Sequence, residues 1–145
     1  MFKTYFPKKN DVKVKWHVVD ADGVVLGRLA SQVASVLRGK QRAEFTPYED
    51  MRDFVVVINA DKVRLTGKKT EIKKYFSHSG YIGSEKFTSI KELMEKYPER
   101  VVEKSIKGML PKNSLGRKMM RKLKVYAGAD HPHLAQQPEE LKVEG

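Results

Sequence analysis

Residues 54–59 read FVVVIN, a short β-branched run without alternation, bounded by Asp53 and Asp61. A strand that is apolar on both faces must be covered on both, as parallel strands flanked by helices are. Upstream, Trp16 to Asp20 (WHVVD) is a second short β-branched run, closed by the turn residues Asp20, Asp22 and Gly23. Between the two runs, Leu26, Ala30, Val33 and Leu37 recur at helical spacing, with Arg28, Gln32, Ser35 and Arg38 between them and Gly39 as the stop. Strand, helix, strand at this spacing predicts a βαβ unit with parallel pairing and a right-handed crossover.

The rest of the chain extends that unit. Val63 to Thr66 is a further extended piece ending at Gly67, and Lys73 to His78 reads as a strand followed by a Ser/Gly-rich loop through Ser84. Ser89 with Glu92 three residues on has capping-box spacing, so a helix is predicted to Tyr97. Pro98 suits the first turn of another helix, running to about Gly108. Leu115 to Leu123 is a third helical stretch, and Val125-Tyr126 is placed as a last strand. The 145 residues fit one domain. Residues 1–15 are expected to form an extended basic arm and residues 134–145 a surface tail. The fold class expected is α/β.

Charge narrows the function. Lys and Arg number 29 against 18 Asp and Glu, a net charge of +11. Such an excess repels itself in a compact state unless a polyanion neutralises it. The chain has no cysteine, so disulfides and Cys-ligated zinc are excluded. There is no apolar run of signal-peptide or membrane-spanning length, and a cytoplasmic protein is expected.

The charge is not spread evenly. Between Glu103 and Asp130 there is no acidic residue, while Lys104, Lys107, Lys112, Arg117, Lys118, Arg121, Lys122 and Lys124 fall in that interval. Winding 115–124 at about 100° per residue puts Leu115, Met119, Met120 and Leu123 on one side and Arg117, Lys118, Arg121 and Lys122 on the other. Such a helix is held to a core by its apolar side and offers cations outward. Without interspersed Glu or Asp it lacks the balancing pairs of a solvated face. Further cations are Lys3, Lys8 and Lys9 on the arm, then Arg38, Lys40 and Arg42, then Lys68, Lys69, Lys73 and Lys74. Tyr75, His78 and Tyr81 stand near the last group, where rings can stack on unpaired bases. The pattern points to contacts scattered over one large folded RNA.

Other chemistry finds little support. Gly67-Lys68 is not a phosphate loop, because Lys62 stands where the first Gly is required and Lys69 where Ser or Thr is required. Gly23 and Gly27 do not complete G-x-G-x-x-G. His131 and His133 lack Cys or a clear carboxylate partner as metal ligands, and turn chemistry or an RNA contact suits them better. Asp20, Asp22 and His17 are strand-end and turn residues rather than a catalytic set. No enzyme, metal or cofactor is expected.

One stretch is more specific. Ile106 to Gly128, IKGMLPKNSLGRKMMRKLKVYAG, followed by His131 to Pro138, closely resembles the signature of the large-subunit ribosomal protein family L-thirteen. Trp16 to Ser31, Arg38 to Asp50 and Lys74 to Gly83 are similar to that family in the same order, and the arm looks like its bacterial branch. The resemblance implies an α/β/α sandwich around a small, mostly parallel sheet, binding to 23S-type rRNA, an early role in subunit assembly, and neighbouring large-subunit proteins as partners. It implies no catalytic residues. Carried onto this chain, the RNA-facing segments would be the arm, Lys40 to Pro47, Lys68 to Gly83, and Lys112 to His133. The alternative reading is a regulator that binds messenger RNA outside the ribosome. Rivals from other classes are a nucleotide-dependent enzyme and a protein-only interaction module.

Overall fold

A computed structural model describes residues 5–8 and 11–143. The expected unit is there: β1 (Lys15–Asp20), α1 (Leu26–Arg38) and β2 (Asp53–Ile58), with β1 and β2 parallel and Val19 opposite Val57. α1 buries Leu26, Leu29, Ala30, Val33, Ala34, Val36 and Leu37. Each fully buried Leu or Val on that stripe contributes about 1.5–3 kcal/mol. The helix stops at Gly39, whose φ of 78° is the left-handed conformation that glycine adopts without strain. Met51 packs where a Cβ on Gly39 would sit.

The remaining elements are α2 (Lys69–Ile72), β3 (Lys74–Ser77), β4 (Lys86–Ser89), α3 (Ile90–Lys96), α4 (Pro98–Met109), α5 (Ser114–Arg121), β5 (Leu123–Val125) and β6 (Glu139–Glu140). The Ser89 hydroxyl accepts from the Glu92 amide at 3.2 Å, and Pro98 opens α4, as the residue pattern predicts. The central sheet has the order β5-β2-β1-β6 and is parallel throughout. Val19, Val55, Val57 and Leu123 join the core formed with α1, α3, α4 and α5. On the other face Trp16 stacks on Phe54, with ring centroids 4.4 Å apart, and Val56 is fully buried. The architecture is an α/β sandwich around this parallel sheet.

Three features extend or depart from the sequence reading. The strand expected at Lys73 to His78 forms as β3 and pairs antiparallel with β4 in a hairpin separate from the central sheet. Val63 to Thr66 forms no strand beyond a single bridge between Val25 and Arg64. The tail also does more than cover the surface, since β6 lies beside β1 and Leu141 and Val143 pack against the core. Among the described residues, no helix is long and apolar enough to cross a membrane.

The carboxyl ends of β1 and β2 are tied together by side chains. Asn59, at φ 55°, donates from Nδ2 to Asp20 Oδ1 at 2.8 Å, and the Asp22 amide donates to the same oxygen at 3.0 Å. These bonds, the Asn59 one first, hold the Asp20 carboxyl below its ordinary pKa. A depressed carboxylate contributes stability above its unfolded pKa and loses it as pH falls through the folded one. Asn59→Gly suits the positive φ and removes only the donor. Asp20 is expected to titrate higher in that variant, and the wild-type advantage over it should shrink as pH falls into the acid range. Carboxyl NMR titration checks this, and identical Asp20 titration in both proteins would contradict it.

Candidate nucleic-acid interface

The acid-free interval of the sequence folds into α4, a turn, α5 and β5. Asn113 caps α5 by accepting from the Gly116 amide at 2.8 Å. Gly116 is buried against the Pro111 backbone, and any Cβ there would overlap the Pro111 carbonyl. Glycine therefore lets the turn lie directly on α5, and Met119 is carried into the core. The opposite side of the helix leaves Arg117, Lys118 and Arg121 exposed, with Lys118 and Arg121 in the last turn, where the helix dipole favours cations.

Between α4 and α5 lies a groove of about 740 Å³. Its charged lining is Lys104, Lys107, Lys112, Arg117 and Arg121, without a carboxylate, over a floor that includes Leu110, Pro111 and Met120. On the other side of α4 is a second concavity of about 390 Å³, where Arg64, Lys69, Lys73 and Lys104 surround Tyr75. The ammonium groups of Lys73 and Lys104 stand 5.3 Å and 4.8 Å from the centre of the Tyr75 ring. Lys104 lines both depressions, so two cation groups far apart in sequence meet across α4. Like charges this close repel one another, and an anionic ligand relieves that repulsion.

Not every expected cation is on the surface. Lys122 was placed with Arg117, Lys118 and Arg121, yet α5 ends at Arg121 and Lys122 is buried, ion-paired with Asp50. Arg42 is likewise turned inward. Its Nε donates to Asp53 Oδ2 at 3.0 Å and its Nη2 to the Lys13 carbonyl at 2.8 Å, leaving the side chain 14% exposed. The hydrogen bond to Asp53 raises the Arg42 pKa, which keeps the guanidinium charged. Both cations lock the 39–53 loop instead of facing a ligand.

The other expected residues fall into three situations. Lys8, Lys40, Lys68, Lys74, Lys124, His78 and Tyr81 are exposed, whereas Lys3 and Lys9 lie outside the described residues. Arg38 is half-buried, with its guanidinium 6.0 Å from the Phe45 ring centre. His133 bonds to the Tyr126 hydroxyl at 2.9 Å and packs against Trp16, while His131 Nδ1 accepts the His133 amide at 3.2 Å. Among the described residues, no group of three or more His, Asp or Glu is placed to hold a metal ion. Arg64, Lys104 and Lys107 were not among the expected site residues. Lys104 and Lys107 were visible in the acid-free interval, but Arg64 carries no local signal.

The elements from β1 to β5, the Gly116 turn and the basic groove all lie within residues 14–132, which match the family model described as Ribosomal protein L13. The chain belongs to the ribosomal protein L13 family. Curated relatives named large ribosomal subunit protein uL13 are similar over nearly their whole length. That of Beutenbergia cavernae is 60% identical over 141 residues, covering 97% of this chain and 96% of the relative. That of Pelodictyon phaeoclathratiforme is 58% identical over 142 residues, covering 98% and 95%. That of Symbiobacterium thermophilum is 56% identical over 143 residues, covering 99% and 100%. The resemblance found in the sequence is thus membership of the L13 family, and the groove between α4 and α5 is a feature of an L13-family chain.

Proposed function

We propose that this chain is a structural constituent of the large ribosomal subunit that binds 23S-type rRNA directly, assists early subunit assembly in the cytoplasm, and catalyses nothing. The observation that carries the reading is the α4–α5 groove, whose charged lining is five cations and no carboxylate, in a chain whose relatives bear the name of a large-subunit protein. Arg117, Lys118 and Arg121, with Lys104, Lys107 and Lys112, neutralise phosphates that the folded RNA brings close together. Each such contact releases counterions. Lys69, Lys73 and Arg64 continue the contact around α4, and Lys68, Lys74 and Lys124 add to it. The packed domain fixes these groups in register, so binding favours one RNA shape over looser ones. Neighbouring ribosomal proteins complete the set of partners.

Sedimentation of ribosomal particles from cells expressing a tagged chain tests this. The chain is expected with the large subunit and its early precursors at moderate salt. Recovery as free protein, or with the small subunit, would overturn the reading.

A further inference from the structure

The β3–β4 hairpin stands outside the central sheet, and its two faces are unlike. Tyr75 and Thr88, opposite each other in the ladder, are both half-buried against the body of the protein. The next pair, Phe76 opposite Phe87, alternates to the other face, where the two are 60% and 63% exposed. Their ring centroids are 5.3 Å apart with the planes tilted by 51°, and His78 lies 6.3 Å from Phe76 with 26° between the ring planes. Three rings thus form a file on an exposed face. His78 is held in place, because its Nδ1 accepts the Gly80 amide at 2.9 Å. In the neutral ring the proton therefore sits on Nε2, leaving a donor free for a ligand.

We propose that Phe76, Phe87 and His78 form a stacking platform for unpaired bases of RNA, with Lys74 beside it for a phosphate; this rests on the RNA-binding reading above. Two large rings left in water retain the drive to be covered, and flat π-faces suit a nucleobase whatever its identity. The charges around them select the occupant. Lys74 shares the outer face with Phe76, Lys68, Lys69 and Lys73 immediately precede the hairpin, and Lys86 lies on β4. From Lys74 to Ser89 the sole carboxylate is Glu85. An apolar protein patch laid on the rings would leave these ammonium groups facing uncharged surface. Single-stranded RNA covers rings with bases and meets cations with phosphates in the same strand. A duplex does not fit, since its bases are already stacked on one another. Sequence reading pointed to Tyr75, His78 and Tyr81, but alternation turns Tyr75 inward and exposes its neighbour Phe76 beside His78.

The test measures binding of the full chain to a large-subunit rRNA transcript and to a short single-stranded RNA across a salt series. Three double variants are compared: Phe76→Ala/Phe87→Ala, Phe76→Leu/Phe87→Leu and Phe76→Tyr/Phe87→Tyr. Circular dichroism confirms that each folds, which the exposure of both rings favours. The Ala and Leu pairs are expected to bind both RNAs roughly 10-fold more weakly, with an unchanged salt slope, and the Tyr pair to bind within about 2-fold of wild type. A Leu pair that binds like wild type would overturn the platform and assign the face to a protein neighbour. Wild-type preference for the rRNA over tRNA reports separately on the RNA-binding reading. If the wild type binds neither RNA, both fall.

Discussion

Arg117→Glu together with Arg121→Glu is expected to weaken binding to large-subunit rRNA by roughly 100-fold at about 0.1 M salt. The two residues are one helical turn apart on the exposed side of α5, and both line the groove shared with α4. Losing two phosphate contacts alone removes roughly 1.4–1.8 from the log–log salt slope, a factor of about 25–60 at that salt. Two carboxylates facing phosphate add repulsion on top. The fold should survive, because neither side chain is buried and surface changes of this kind stay within about 0.5 kcal/mol. Fluorescence anisotropy against salt, with a thermal melt of the free protein, checks both halves. Unchanged affinity in a folded variant would contradict the role given to α5.

Asp53→Ala should have the opposite profile, a loss of stability of about 3–5 kcal/mol that leaves the surface cations untouched. The carboxylate is 5% exposed and accepts from both Nε and Nη2 of Arg42. Removing it leaves the largely buried Arg42 guanidinium without its countercharge, with the Lys13 carbonyl as a neutral acceptor. Charge burial without a partner is among the most damaging single changes. The melting temperature is expected to fall by on the order of 10 °C. Replacing both partners, Arg42→Met with Asp53→Leu, should recover most of the loss, because no charge is then left unpaired. A loss below about 1 kcal/mol in the single variant would mean that the pair is solvated and that Arg42 is free to meet a ligand. Lys122, paired with Asp50, is expected to follow the same logic.

These contrasting outcomes mark the boundary of what the sequence reveals. The apolar run of β2, the 3–4 spacing of α1 and the capping box of α3 are local patterns, and each forms the expected element. The hairpin strand β4 was missed because KFTS is too short and mixed to signal a strand. β6 was missed because it is two glutamates, held to β1 by backbone pairing rather than by propensity. Inside the site, the helical wheel placed Arg117, Lys118 and Arg121 correctly on the solvent side. It failed at Lys122, which stands seven residues after Leu115 and so at the edge of the apolar side, and whose partner, Asp50, lies 72 residues away. A lysine inside an ion pair and a lysine facing solvent read alike in a sequence. Tertiary packing alone separates them. The meeting of Lys69, Lys73 and Lys104 around Tyr75 is equally non-local, since it depends on how α4 crosses the segment from Arg64 to Tyr75.

The most direct test of the central claim is the affinity of the free chain for a large-subunit rRNA transcript across a salt series, with total tRNA as competitor. A steep slope is expected, roughly −0.7 to −0.9 per neutralised phosphate, with clear preference for the rRNA. A shallow slope, or equal affinity for tRNA, would contradict the account and leave the positive surface as a generic charge.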